Sequence, residues 1–113
     1  MTVSIKRVYE GAERSDGYRV LVDRVWPRGV SKEKAAVDLW LKEVGPSTEL
    51  RTWFGHVPAR FAEFAKKYRA ELDHNAAAQE LRDAVAAHDT VTLVYSAKDE
   101  EHNQAVVLAD YLG

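Results

Sequence analysis

Two short stretches hold most of the side chains able to do chemistry. The first is Tyr95-Ser96-Ala97-Lys98-Asp99-Glu100-Glu101-His102-Asn103-Gln104, close to the carboxyl terminus. It offers two hydroxyls (Tyr95, Ser96), one compact positive charge (Lys98), a carboxylate (Asp99) and two amides. His102 is the one group there whose ordinary pKa lies near neutrality, which makes it the candidate proton carrier. Asp99 is the candidate partner that orients or assists it. The second stretch is Asp23-Arg24-Val25-Trp26-Pro27-Arg28-Gly29. Its two guanidinium groups are forked donors suited to carboxylate or phosphate, and Pro27 fixes their spacing at little entropic cost.

Each stretch also has a purely structural reading. Asp99 is a good helix N-cap, and Glu100 and Glu101 after it complement a helix dipole. Asp23 can pair with an arginine while Trp26 anchors the loop. The two glutamates bear on function as well, because at a helix N-terminus they repel a phosphate that such a terminus would otherwise seat. No G-x-x-x-x-G-K run is present, which removes a nucleotide P-loop. An anion therefore falls to Arg24, Arg28 and Lys98, with Asp23, Tyr95 and Ser96 beside them. His56 in Gly55-His56-Val57-Pro58 is a weaker candidate, read chiefly as a capping or packing residue. His74 and His88 sit at predicted helix ends. Lys66-Lys67-Tyr68-Arg69 looks basic but is diluted by Glu63, Glu71 and Asp73, so a solvated helix face is the better reading.

The elements that must position these groups follow from periodicity. Val3–Val8 and Tyr18–Val22 read as strands separated by the turn-rich Gly11–Gly17, either as a hairpin or as separate sheet members. The Trp26-Pro27 corner cannot be helical. Ser31 caps a predicted helix from about Lys32 to Val44, stopped by Gly45-Pro46; Ser47 caps a short one carrying Leu50, Trp53 and Phe54. Residues 59–72 form the clearest helix, with Phe61, Phe64, Tyr68 and Leu72 as a core stripe. Asn75 caps an alanine-rich helix to about Ala87. Thr90–Tyr95 is the strongest strand, and residues 102–112 the last helix. If Tyr18–Val22 and Val91–Tyr95 are parallel neighbours, Asp23-Arg24 and Ser96-Lys98-Asp99 leave the sheet at one edge, where open α/β sheets bind ligands. The functional reading hangs on that step.

Composition narrows the classes. With 113 residues, 46% hydrophobic and 30% charged, the chain supports one domain with a real core. A net charge of −2 creates no strong field toward nucleic acid or membrane. Cysteine is absent, which removes disulfides, thiolate catalysis and cysteine-bound zinc. The four histidines lack metal-binding spacing. No signal core is visible, nor any run approaching the roughly 18 apolar residues of a membrane span.

The combination Val20-Leu-Val-Asp-Arg-Val-Trp-Pro-Arg-Gly29, Asp38-Leu-Trp40, Pro46-Ser47, Trp53-Phe-Gly-His56 and Val94-Tyr-Ser-Ala-Lys-Asp-Glu-Glu-His-Asn-Gln-Ala105 resembles the YeaO-like branch of the domain of unknown function 488 family, over nearly the whole chain. The resemblance brings no established activity. It implies that longer relatives carry cysteines where Tyr95 and Asn103 stand here, and an arginine near Ala105. A cysteine-phosphatase or rhodanese-like mechanism is therefore excluded in this chain.

The expectation is a single α/β domain spanning residues 1–113. It is a three-layer-like arrangement with a short, mainly parallel sheet of about three strands and about five helices. Functionally it is a cytoplasmic monomer or small homo-oligomer, with an arginine-lined polar pocket for a small anionic molecule and no cofactor. Acid–base or hydrolytic chemistry at His102 and Asp99 is the enzymatic version. The alternative is a nucleic-acid or protein-binding module in stress or repair processes, using the Lys66–Arg69 face.

Overall fold

A computed structural model describes residues 2–113. Four strands, β1 (Thr2–Arg7), β2 (Tyr18–Leu21), β3 (Leu39–Trp40) and β4 (Thr90–Tyr95), form one sheet in the order β1-β4-β2-β3. Every pairing is parallel: Val3 lies beside Val91, Val20 beside both Leu93 and Leu39. The hairpin alternative for β1 and β2 is thereby resolved, since β4 runs between them. β4 is buried along Val91–Tyr95, as expected of a β-branched run in a strand covered on both faces.

Alternation along β2 and β4 creates two cores of unequal size. Val20, Val22, Val91, Leu93 and Tyr95 face the larger one, closed by α2 (Thr48–Phe54), α3 (Phe61–Leu72), α4 (Ala76–Ala87) and α5 (Gln104–Leu112). Leu21 and Val94 face a small second core with Val8 and Ala35, the latter from α1 (Lys32–Ala35). The stripe on α3 is core: Phe64, Tyr68 and Leu72 are buried, and the Tyr68 hydroxyl donates to the Val44 carbonyl at 2.5 Å. Ser47 and Asn75 cap α2 and α4 as their sequences predict. Among the described residues, no helix is long and apolar enough to cross a membrane.

The helix predicted over Lys32–Val44 is a correction. Ser31 caps it, but it lasts one turn, and Ala36 turns left-handed at φ 47°. The physical cause is Arg19, which is buried in β2. Its Nη2 donates to the Ala35 carbonyl at 2.8 Å and its Nε to the Ala36 carbonyl at 3.1 Å. Those acceptors are the ones a longer helix would use for its next turn. The Arg19 charge is balanced by buried Asp16 at 2.6 Å. Released from the helix, Leu39–Trp40 pairs with β2 as a fourth strand. Trp40 then donates its indole N–H to the Asp23 carbonyl at 2.8 Å.

β2 enters through Gly17, where φ is +66° and an added Cβ would lie 2.3 Å from the Thr90 carbonyl oxygen. Gly29 has a similar φ of +76° but nothing within 4 Å of an added Cβ. Gly29→Ala is therefore expected to cost about 1 kcal/mol for backbone conformation alone, and Gly17→Ala about 3 kcal/mol or more. Urea denaturation of both variants decides it, and equal losses would contradict the close approach at Thr90.

Candidate functional site

Parallel pairing makes β2 and β4 end together, and Asp23 is the residue where they are joined. Its carboxylate Oδ2 accepts from the Ser96 amide at 3.0 Å and from the Ser96 hydroxyl at 2.5 Å. Its Oδ1 accepts from Gln104 Nε2 at 2.5 Å, at the first residue of α5. One buried carboxylate thus ties β2, β4 and α5. Burial pushes its pKa above the ordinary value, outweighing the Ser96 and Gln104 donors and the Arg51 charge that pull it down.

Arg24 is a clamp. Nε donates to the Pro46 carbonyl at 2.7 Å, Nη2 to the Gly45 carbonyl at 3.0 Å, and Nη1 lies 3.8 Å from Glu43. Gly45 permits this approach, since a Cβ there would meet Arg24 Cγ at 2.8 Å. The Gly45-Pro46 turn so held leads through Ser47 into α2.

Between these elements lies a cleft of about 390 Å³. The segment after β2 contributes Asp23, Arg24 and Val25; α2 and its exit contribute Arg51, Thr52, Phe54 and His56. Ser96, Asn103 and Gln104 come from β4 and α5, and Phe64 from α3. Arg51 is exposed at the cleft, and its guanidinium makes no hydrogen bond or ion pair among the described residues. His56 follows the Gly55 cap with φ 58°, a left-handed conformation that is uncommon for a residue with a side chain.

Of the predicted site residues, Asp23, Arg24 and Ser96 come together at this cleft. The others lie elsewhere. Arg28 is exposed, with its carbonyl accepting from the Tyr9 hydroxyl at 3.1 Å, and it does not line the cleft. Lys98 is exposed and also outside the lining. Tyr95 is buried, and burial pushes its phenol pKa upward. His102 Nδ1 sits 2.9 Å from Asp99 Oδ2, as a histidine–carboxylate couple would require. Yet this pair packs beside Phe61, whose ring meets His102 edge-on at 5.2 Å, and neither member lines the cleft.

The start of the last helix also differs from expectation. Asp99 accepts from the Glu101 and His102 amides at 2.9 and 3.0 Å, closing a turn. These bonds, first that of Glu101, outweigh its desolvation and with His102 hold its pKa below the ordinary value. The helix cap is Asn103, whose Oδ1 accepts from the Val106 amide at 3.1 Å. Its Nδ2 donates to the Asp99 carbonyl at 2.8 Å. Glu100 and Glu101 therefore precede α5, whose first turn carries no acid. Their expected role at the helix dipole is corrected, because the cap is four residues further on.

Arg51 is the cleft residue the sequence reading passed over. On a short amphipathic helix it looks like any solvated arginine, and it takes the Arg24 clamp on Gly45-Pro46, with the Glu71 carboxylate on Ser47, to aim α2 at the sheet edge. Among the described residues, no three or more His, Cys, Asp or Glu side chains gather to hold a metal ion.

A family model described as "Inactive DUF488-N3 subclade" matches residues 2–113. The chain belongs to this family. It is 50% identical over 113 residues to the uncharacterized protein YeaO of Escherichia coli strain K12, covering 99% of this chain and 97% of that one. It is 46% identical over 110 residues to the uncharacterized protein Rv3073c of Mycobacterium tuberculosis, covering 97% and 92%. The uncharacterized protein Mb3100c of Mycobacterium bovis matches at the same 46% over 110 residues. No solved structure matches significantly. The family resemblance read from the motifs thus holds over the whole described chain, and Tyr95 and Asn103 prove to be buried residues of the core and the helix cap.

A raised folded-state pKa at Asp23 has a definite sign. The folded protein binds the proton more tightly than the unfolded chain, so this group's contribution to stability falls as pH rises from the unfolded pKa through the folded one. Asp23→Asn removes that titration, and Gln104 can rotate its amide to accept from the new amide. We predict that the stability of the wild type relative to Asp23→Asn falls as pH is raised from 3 through the acidic range. Urea titrations at several pH values measure it, and a difference that rises with pH would refute the burial account.

Proposed function

We propose that this chain is a binding protein whose cleft takes a small organic anion, rather than an enzyme acting on one. The observation that carries this reading is Arg51, a guanidinium at the cleft with no partner among the described residues. An exposed arginine is ordinary; one beside a partly apolar hollow that holds Phe54, Phe64 and Val25 is an anchor for a carboxylate with an apolar body. Arg24 supports the positive potential, though its donors are largely spent on backbone carbonyls.

Binding is favoured over catalysis on two grounds. The His–Asp couple found among the described residues, His102 with Asp99, stands outside the cleft, so its proton has no molecule bound in the cleft within reach. The family's own description carries the word inactive. The nucleic-acid alternative is weakened by pairing on its proposed face: Lys67 lies 3.1 Å from Glu63, and Arg69 is bonded to Asp110. Few uncompensated charges remain there for phosphates.

Calorimetric titration of small carboxylates tests the reading. Loss of a hydrogen-bonded guanidinium–carboxylate contact is worth about 1.5–3 kcal/mol, so Arg51→Ala is expected to weaken binding by about tenfold or more. Arg28→Ala and Lys98→Ala are expected to change it by less than about twofold, as screened surface charges do. Equal losses in all three would mean non-specific attraction and would end the cleft proposal.

A further inference from the structure

The cleft holds more than a seat for a negative charge. Two of its polar groups, on Asp23 and Ser96, offer acceptors, and this bears on what kind of anion fits. Asp23 Oδ2 receives two donors and Oδ1 only one, so a carboxylate with about four acceptor positions keeps one unused on Oδ1. The Ser96 hydroxyl spends its proton on Asp23, which leaves its oxygen able to accept. Both residues line the cleft.

Phosphate and sulfate are poor matches to that arrangement. Sulfate presents only acceptor oxygens, which would meet Asp23 and Ser96 acceptor to acceptor; phosphate keeps a P–OH donor at neutral pH but sets its other acceptor oxygens and a partly dianionic charge against Asp23. The charge count agrees. Arg24 is engaged by Gly45, Pro46 and nearby Glu43, so one open guanidinium remains, at Arg51. One free positive charge beside one free acceptor calls for a ligand with the inverse pattern. Phe54, Phe64 and Val25 supply apolar surface for the rest of it, and about 390 Å³ lies at the lower end of the range typical of small-molecule pockets.

Resting on the anion-binding reading above, we infer that the ligand is a monocarboxylate carrying its own hydrogen-bond donor, of the 2-hydroxy or 2-amino acid class with an apolar side chain, its carboxylate on Arg51 and its donor on Asp23. Hydroxyl and ammonium share the donor chemistry, and the ammonium additionally neutralises the buried Asp23 charge. A pocket built to pair a donor leaves the second acceptor position of Asp23 Oδ1 unfilled when the ligand lacks one, and this is the source of selectivity.

Calorimetry on the full chain at pH 7 with four probes tests the inference: L-leucine, 2-hydroxy-4-methylpentanoate, 4-methylpentanoate and inorganic phosphate. The expected result is that L-leucine or the hydroxy acid binds at least about tenfold tighter than 4-methylpentanoate and phosphate, one charge-assisted hydrogen bond being worth that much. Whichever of the two binds tighter identifies the donor. In Asp23→Asn the amide nitrogen takes the place of the free acceptor, so the preference over 4-methylpentanoate should shrink to less than about threefold. The four-probe ranking on the wild type stands even if that variant fails to fold. If 4-methylpentanoate or phosphate binds as tightly as the donor-bearing acids, with Arg51→Ala still weakening them, the donor inference is overturned and anion binding survives. If none of the four binds, both readings fall.

Discussion

The Asp23 carboxylate is the constraint around which this end of the molecule is arranged. Taking a carboxylate out of water is costly unless donors replace its hydration. Here three donors do so, two from Ser96 at the end of β4 and one from Gln104 at the start of α5. The same residue's backbone carbonyl receives the Trp40 indole, which secures the edge strand β3. Two strands, a helix and an edge are thus registered through one residue. Because all four strands are parallel, that residue lies where their carboxyl ends coincide, and the hollow beyond it follows from the topology.

Much of this frame was legible in the chain. The β-branched runs Tyr18–Val22 and Thr90–Tyr95 read as buried strands, and parallel adjacency, the condition set on them, is what puts Asp23 beside Ser96. Caps at Ser47 and Asn75 follow from side-chain chemistry that acts within three residues. The failures have the opposite character. The helix begun at Ser31 stops because Arg19, far away in sequence, takes its carbonyls, and local propensity carries no trace of that. Asp99 and Asn103 are both good caps. Sequence could not rank them, and the structure uses the first to close a turn and the second to start the helix. Arg51 escaped notice for a similar reason, as its place at the cleft depends on the Arg24 clamp two elements away.

The two positions where the family resemblance implies cysteines in longer relatives carry structural side chains in this chain. Tyr95 is buried at the end of β4 in the larger core, and Asn103 caps α5 while also bonding back to the Asp99 carbonyl. Both have taken up structural work that a small thiol would not perform. A phenol fills core volume, and an amide satisfies a helix terminus. The strand end and the helix entrance beside the hollow are thus filled by a phenol and an amide, in a chain without cysteine. Recognition, unlike thiolate chemistry, needs only the placement of charge, acceptor and apolar surface. Under the proposed reading those three are Arg51, Asp23 and the Phe54–Phe64 pair, whose rings stack at 4.3 Å. None of them takes its chemistry from position 95 or 103: Arg51 is carried by α2, and Asp23 is held by the Ser96 and Gln104 donors.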